Sequence, residues 1–328
     1  MANAGHTAIK AIIAIGVVAF LFLLITSMAL KRTMLKQGEV KVSVAAQRLS
    51  PFSTQRADRD LKTIVGLGPR EAGSPGIGAL RDYLKSELAE VGFTVEERPF
   101  VATTPAGEIP MANLSCEVPG DRPGTLIFCT HYDTRRMVEF PFLGANSGAS
   151  GTAWLLEMAR AMGPGAREGV TLEFVWLDGG EGFTEEDTGN YGAKVLAESL
   201  RGGEVAAIYL DMIGDCLLRI RQDRDAPEAL RAAVWNSADR LRYRRQFGRS
   251  APPAPGAHLV LREAGIPALG LVDFSYGGTA LQHQENYHTA RDGLDLVCAE
   301  SLRAVADVIY HALPTIDEDL QKLISVTE

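Results

Sequence analysis

The chain has 328 residues, a hydrophobic fraction of 46% and a formal net charge of −8. These values exclude a disordered, collagen-like or low-complexity protein. The acidic charge argues against nucleic acid as a partner, because phosphate binding requires a basic surface. Four Cys and six His are too few for a disulfide scaffold or a Cys-rich zinc array, although they suffice for one metal site with His and carboxylate ligands.

The first predicted element is an apolar helix at residues 11–30, which contains no charged residue and has basic residues on both sides. About 20 apolar residues in a helix match the thickness of a bilayer, so we interpret this segment as a single-pass membrane anchor. A cleaved signal peptide, with Ser27 and Ala29 near the cleavage site, is the second interpretation. A buried core helix is the third, and the absence of a polar face argues against it.

The side of the membrane on which the rest of the chain lies is open at this stage. The positive-inside rule, applied to the basic residues after the segment, places it in the cytoplasm. A signal-anchor interpretation places it outside, and an extracytoplasmic domain is our working expectation. Residues 1–10 are then an amino-terminal tail, and residues 31–52 are a linker.

From residue 53 to about residue 314, helix patterns alternate with strand patterns. Helices are predicted at 53–66 and at 74–91, the second with Ser74 as its N-cap and a proline in its first turn. The remaining elements are predicted as strands at 93–101, 109–117, 125–130, 170–177, 205–213 and 266–272, and as helices at 148–162, 189–200, 226–241 and 297–313. This alternation predicts one α/β domain with a sheet that is largely parallel in its centre, followed by a tail at 315–328.

The four cysteines show no CxxC spacing. Three of them fall in strand or helix patterns, which indicates buried thiols. A Cys116–Cys129 pair across neighbouring strands is left open as an alternative.

Polar residues follow several of the predicted strands, where open α/β sheets collect their ligands. In chain order these residues are His131 and Asp133, then Asp178 and Glu181, then Asp211, and across a longer loop His288. Imidazole and carboxylate are the usual non-sulfur ligands of zinc, and Asp133 is placed to orient the His131 imidazole. Each residue alone has an ordinary structural interpretation, such as a cap or a solvated charge. Their occurrence at successive strand ends argues against coincidence.

Several stretches resemble the di-zinc aminopeptidase superfamily of the metallopeptidase family 28 type, most closely its glutaminyl-cyclase-like branch. They include GPREAGSPG (68–76), THYDTRR (130–136), GANSGASG (144–151), LDMIGD (210–215) and YHTARDGLD (287–295). They occur in the family's order and, with the stretches between them, cover nearly all of residues 53–314. The resemblance implies a three-layer α/β/α sandwich around a mostly parallel mixed sheet. It also implies a zinc-dependent reaction at the amino terminus of a peptide or protein.

By this resemblance, certain residues match the family's metal ligands, and two carboxylates match residues that support those ligands. The matched ligands are His131, Glu181, Asp211 and His288, and the supporting carboxylates are Asp133 and Asp178.

Three positions depart from the family pattern. Ser147 stands where the family has an aspartate ligand, Gly180 where it has the glutamate that acts as general acid and base, and Ala257 where it has an aspartate. A catalytic zinc generally keeps three protein ligands and one open position, and a glycine relays no proton. A gapped alignment makes Glu181 the base, but it leaves Gly182 at the ligand position.

Two functional classes follow from these departures. The first is a membrane-anchored, catalytically impaired relative that binds, or once acted on, peptide amino termini, with zinc weakly or substoichiometrically bound. The second is an active zinc aminopeptidase or glutaminyl-peptide cyclotransferase with a modified site. In that case Glu185, Glu186, Asp187 or Asp215 supplies the missing groups. The missing groups favour the first class.

Overall fold

The computed structural model describes residues 50–200, 205–277 and 285–325. The segment 11–30, which was predicted to be a membrane anchor, lies outside these residues. Within the described ranges, no helix combines the length and the apolar character that a bilayer crossing requires.

The described chain alternates between helices and strands, as the sequence predicts. The helices are α1 (Thr54–Gly66), α2 (Pro75–Glu90), α3 (Ala149–Met162), α4 (Tyr191–Ser199), α5 (Glu228–Arg240), α6 (Ala257–Glu263) and α7 (Ala299–Ser325). The strands are β1 (Glu96–Thr104), β2 (Gly107–Val118), β3 (Gly120–His131), β4 (Arg167–Leu177), β5 (Val205–Asp211), β6 (Ile220–Asp223), β7 (Phe247–Ala251) and β8 (Ala268–Val272). A short 3₁₀ turn, Leu294–Leu296, precedes α7.

The main sheet has six strands in the order β1-β2-β4-β3-β5-β8. The pairs β4–β3, β3–β5 and β5–β8 are parallel, whereas β1–β2 and β2–β4 are antiparallel. The sheet is therefore mixed and mostly parallel, as predicted. Because β4, β3, β5 and β8 run in the same direction, their carboxyl ends meet at one edge.

Helices cover both faces of this sheet. Along β3, Leu126 and Phe128 belong to one hydrophobic core, and Ile127 and Cys129 belong to another, because successive side chains of a strand point to opposite faces. Helices α1, α2, α3, α5 and α7 supply the first core, and α4 and α6 supply the second.

Local signals fix several helix starts. The Ser53 side chain accepts a hydrogen bond from the Arg56 amide at the start of α1. The Ser74 side chain accepts one from the Ile77 amide at the start of α2, where Pro75 occupies the first turn. The predicted cap at Ser74 is therefore confirmed.

The structure contains three short elements that the sequence pattern did not reveal: β6, β7 and α6. The strands β6 and β7 form a separate parallel pair, and their sequences, IRQD and FGRSA, lack the apolar alternation that marks a strand. Helix α6 has only seven residues and no side-chain cap.

The last helix is longer than predicted. It continues past Pro314 to Ser325, where the sequence suggested a tail from residue 315. Ile316 and Leu320 are buried there, and Asp317 forms an ion pair with Arg167 at 2.6 Å. These contacts hold the helix beyond the proline.

The cysteine pairing differs from the alternative raised on sequence. Cys216 and Cys298 form a disulfide with a Cα–Cα distance of 4.8 Å, whereas Cys116 and Cys129 are buried free thiols. A Cys116–Cys129 pair is excluded because β4 lies between β2 and β3 in the sheet. The disulfide ties the loop after β5 to the segment that begins α7.

Candidate metal centre

The sequence-predicted site residues gather at the carboxyl edge of the parallel strands. His131 is the last residue of β3 and Asp211 is the last residue of β5, and Glu181 follows the end of β4. His288 comes from the loop before α7. All four side chains line one cavity of about 420 Å³, so the expectation drawn from the strand ends is met.

His131 and Asp211 form one pair in this cavity. The Nε2 atom of His131 lies 3.3 Å from Oδ1 of Asp211, and its Nδ1 atom lies 3.4 Å from Oδ1 of Asp133. Burial lowers the pKa of His131, but the two carboxylates outweigh it and hold the pKa well above its ordinary value.

Asp133 also fixes the loop that follows β4. Its two carboxylate oxygens accept hydrogen bonds from the amides of Gly180, at 2.8 Å, and Glu181, at 3.0 Å. Asp133 therefore contacts both the His131 ring and the backbone that carries Glu181, which agrees with its assignment as an orienting residue.

Glu181 and His288 form a second pair, joined by Ser147. The Nε2 atom of His288 lies 3.1 Å and 3.0 Å from the two carboxylate oxygens of Glu181, and the Ser147 hydroxyl donates to Oε1 at 3.0 Å. Burial alone would raise the pKa of Glu181. The hydrogen bond and positive charge of His288 reverse this effect and lower the pKa to about 2.

The Asp292 carboxylate holds the backbone of Ser147 in place. Asp292 accepts hydrogen bonds from the amides of Asn146, at 2.7 Å, and Ser147, at 3.1 Å. Tyr276 donates its hydroxyl to the same carboxylate at 3.1 Å. The position of the missing aspartate is thus ordered, and it presents a hydroxyl to Glu181.

The donor set falls short of a three-ligand zinc site. Among the residues that the structure describes, no group of three or more His, Cys, Asp or Glu side chains is arranged to hold a metal ion. At the position where a carboxylate would add a third ligand to the Glu181–His288 pair, the chain offers only the neutral Ser147 hydroxyl. A neutral hydroxyl is a poor zinc ligand beside a carboxylate.

Gly180 has no room for any side chain. A Cβ atom added there would lie 2.3 Å from Cβ and 2.7 Å from Cγ of His131. A Cβ on Gly182 would lie 1.8 Å from the Asp187 carbonyl oxygen. Both alignments with the family pattern therefore place a tightly packed glycine where the resemblance implies an acid.

Asp178 supports the sheet rather than the cavity. One of its oxygens accepts from the Ala112 amide at 2.9 Å and from the Tyr132 hydroxyl at 3.3 Å, and the other accepts from the Gly179 amide. Burial raises its pKa to about 7. Asp178 thus joins the loop after β4 to β2. Ala257, the third position that departs from the family pattern, is the first residue of α6. It is buried in the core that α4 and α6 supply.

The other acids considered as replacements are exposed or hydrogen-bonded to neighbouring groups. The Glu185 side chain is 95% exposed and faces Arg135, and Glu186 is also exposed. Asp187 lines the cavity, but its oxygens accept from the amides of Phe183 and Gly189 and from the Tyr191 hydroxyl. Asp215 accepts from the Leu217 amide beside the disulfide.

Two aromatic residues, Tyr209 and Tyr287, line the cavity, and a third, Phe142, contacts the His288 ring; the sequence did not single them out. Tyr209 donates its hydroxyl to Asp211 at 3.3 Å, Tyr287 stacks on His288 at 3.7 Å between ring centroids, and Phe142 meets the same ring edge-on. The sequence positions of Tyr209 and Tyr287 could have identified them. Tyr209 lies two residues before Asp211, on the same face of β5, and Tyr287 directly precedes His288.

Comparison with known proteins agrees with this fold. Residues 113–313 match the model of peptidase family M28. A glutaminyl-peptide cyclotransferase from Dictyostelium discoideum is 27% identical over 308 residues, covering 78% of this chain and 85% of that protein. The crystal structure of an Acidobacteriales bacterium glutaminyl cyclase superposes with a TM-score of 0.74 and 29% identity, covering 82% of this chain and 96% of that one. A Zn-dependent exopeptidase from Parabacteroides distasonis shares the fold at 21% identity and a TM-score of 0.71, covering 80% of this chain and 98% of that one. Because the family model spans more than half of its length, the chain belongs to peptidase family M28.

Proposed function

We propose that this chain is a glutaminyl-cyclase-like M28 protein whose chemistry is impaired and whose cavity binds peptide amino termini. The observation that carries the proposal is the packing of Gly180 against His131, which leaves no space for a side chain at the position where the family has its general base. General acid and base catalysis contributes roughly 10²–10⁴-fold to enzymatic rates. The loss of that group and of a ligand at Ser147 is expected to cost more than either loss alone.

Zinc is suggested for this cavity by the family and by the exopeptidase that shares the fold. The chain retains Glu181 and His288, but the third position carries a hydroxyl that is already hydrogen-bonded to Glu181. We therefore infer weak or substoichiometric zinc binding. Elemental analysis of protein purified without chelator tests this inference, and one or two tightly held ions per chain would overturn it.

The carboxylates of the cavity support binding of a cationic amino terminus. Four acidic residues line it, Glu181, Asp187, Asp211 and Glu263, together with Arg135, Lys194 and the two histidines that face Asp211 and Glu181. A carboxylate forms a strong, charge-assisted hydrogen bond with an ammonium, so these side chains are the groups that a free amino terminus would contact.

Binding is tested with two short peptides that begin with glutamine and differ only in acetylation of the amino terminus. We expect the free peptide to bind and the acetylated one to bind at least tenfold more weakly, since a hydrogen bond to a charged group is worth about 1.5–3 kcal/mol. Glu181→Gln should weaken only the free peptide. Equal binding of both peptides, or no binding of either, would overturn the proposed ligand.

An active cyclotransferase or aminopeptidase with a modified site is the second candidate. It is favoured by the two retained His–carboxylate pairs, His131–Asp211 and Glu181–His288. Turnover in the presence of added zinc distinguishes the two candidates.

We further propose that the domain lies outside the cytoplasm, attached through residues 11–30. The Cys216–Cys298 disulfide supports this placement, because disulfides persist in oxidising compartments and are rare in the cytosol. Protease treatment of membrane vesicles of known orientation tests it. Digestion of the domain only in inside-out vesicles would show that it faces the cytoplasm and would overturn the proposal.

A further inference from the structure

A second cavity, of about 340 Å³, shares the segment 251–263 with the candidate metal centre but uses different residues of it. Most of its lining is apolar, and three polar side chains complete it. The apolar residues are Ala251, Pro252, Pro253, Ala254, Val272 and Phe274, and the polar ones are Arg221, Asp223 and His258. Its size is in the range of small-molecule sites.

His258 is the unusual residue of this cavity. Its side chain is fully buried, and neither ring nitrogen has a hydrogen-bond partner. The ring stacks on Tyr209 with centroids 5.7 Å apart. Burial, assisted by the charge of Arg262, lowers the pKa of His258 to about 3, so the ring is neutral and offers one donor and one acceptor. Buried polar groups are normally satisfied, which indicates that this ring has a partner that is not part of the protein.

Asp223 supplies a second hydrogen-bond acceptor. Its Oδ2 atom lies 3.7 Å from Nε2 of His258 and accepts no hydrogen bond. The same oxygen lies 2.9 Å from the Arg262 guanidinium, which balances its charge. The buried Asp223 and His258 and the half-buried Arg262 are therefore neutral in sum, whereas Arg221 is exposed to solvent. The three groups removed from solvent favour an uncharged ligand group over an ammonium or a carboxylate.

We propose that this cavity binds a small neutral molecule with a planar amide-type head on an apolar, preferably aromatic, body. The head donates an N–H to Asp223 and accepts a hydrogen bond from His258. The body packs against Pro253, Val272 and Phe274. This site is independent of the ligand proposed for the metal centre.

Ligand-observed NMR with benzamide, benzoate and toluene tests the proposal, since the three probes share one ring and differ in the head. We expect benzamide to bind with a Kd on the order of a millimolar, which is usual for so small a fragment. We expect benzoate and toluene to bind at least fivefold more weakly. Equal binding of all three, or no binding of any, would mean that the cavity holds only water or nonspecific apolar material, and would overturn the proposal.

Two variants test whether benzamide binds in this cavity. Ala254→Trp fills the cavity from its partly exposed wall and should abolish benzamide binding, whereas Ala264→Trp, at an exposed position after α6, should not. Asp223→Asn leaves Arg262 unbalanced, so it should weaken benzamide roughly tenfold and strengthen benzoate. Thermal unfolding of each variant confirms that it is folded. Benzamide binding that survives both Ala254→Trp and Asp223→Asn would place the probe elsewhere and contradict the assignment.

Discussion

Gly180 packs directly on the His131 side chain, so that a Cβ at position 180 would lie 2.3 Å from the Cβ of His131. Real Cβ atoms essentially never approach so closely, and the neighbour here is the stem of a buried ring rather than a flexible chain end. The glycine is therefore part of how the cavity is packed. The lack of a side chain at position 180 is a feature of the local structure as well as of the sequence.

The first prediction is that Gly180→Ala destabilises the fold. The added methyl group must displace His131 or the loop after β4, and we expect a loss of about 3 kcal/mol or more in the free energy of unfolding. Gly78→Ala is the matched control. Gly78 lies in α2 with nothing within 4 Å of an added Cβ, and this change should raise stability by up to about 1 kcal/mol. Thermal unfolding measures both, and similar melting temperatures for the two variants would contradict the packing described here.

The second prediction concerns Ser147→Asp, which restores a carboxylate beside Glu181. Without metal, the Ser147 hydroxyl donor is replaced by a like charge, so the variant should unfold at a lower temperature than the wild type. With zinc, the new carboxylate joins Glu181 and His288, and the variant should take up about one ion per chain. The asparagine side chain of Ser147→Asn has nearly the shape of aspartate without its charge. This variant should neither unfold at a lower temperature nor take up zinc. If zinc stabilises the wild type as much as Ser147→Asp, the two residual ligands suffice and the inference of weak binding is wrong.

The third prediction concerns the disulfide between Cys216 and Cys298, which closes a loop of 82 residues. Replacing both cysteines with serine should cost about 4 kcal/mol, because the cross-link restricts the unfolded chain. Reductant should lower the melting temperature of the wild type but not of the variant. Alkylation of unfolded, unreduced protein should label Cys116 and Cys129 alone, and labelling of all four cysteines would show that the bond does not form.

The fourth prediction is a loss of stability as pH rises through 6, arising in part from Asp215. Burial and the neighbouring Asp273 carboxylate raise the pKa of Asp215 from 3.8 to about 6. A carboxyl group with a raised pKa in the folded state binds more protons there than in the unfolded chain. Its stabilising contribution is therefore complete below pH 3.8 and is lost as pH rises through about 6. The loss amounts to about 3 kcal/mol for this group.

Asp215→Asn removes the titrating group. The slope of unfolding free energy against pH between about 4 and 7 should become shallower, whatever the absolute stability of the variant. Denaturant unfolding at a series of pH values measures that slope. An unchanged slope would mean that Asp215 titrates near its ordinary pKa in the folded protein.

Much of the site followed from the sequence because parallel strands bring their carboxyl ends to one edge. That rule placed His131, Glu181 and Asp211 together without knowledge of the pairing order. His288 was less direct, since it lies across a longer loop after the last predicted strand, and the family resemblance strengthened its assignment to the same site. The structure supplies the contact, at 3.0 Å.

Other features could not be predicted from local sequence patterns, because they depend on contacts between distant segments. The lack of space at Gly180 arises where the loop after β4 meets the end of β3. The Cys216–Cys298 bond joins residues with no informative spacing. The strands β6 and β7 pair through their backbones while their side chains are largely polar, so no apolar alternation marks them.

The most direct test of the central claim is turnover in the presence of added zinc. Cyclisation of a peptide that begins with glutamine, and release of amino-terminal residues from peptides with other amino termini, should be measured for the wild type and for Glu181→Ala. The proposal predicts that the wild type turns over these peptides no faster than Glu181→Ala, even when zinc is saturating. Zinc-dependent cyclisation or residue release by the wild type that disappears in Glu181→Ala would contradict it, and would establish the chain as an active enzyme despite Gly180 and Ser147.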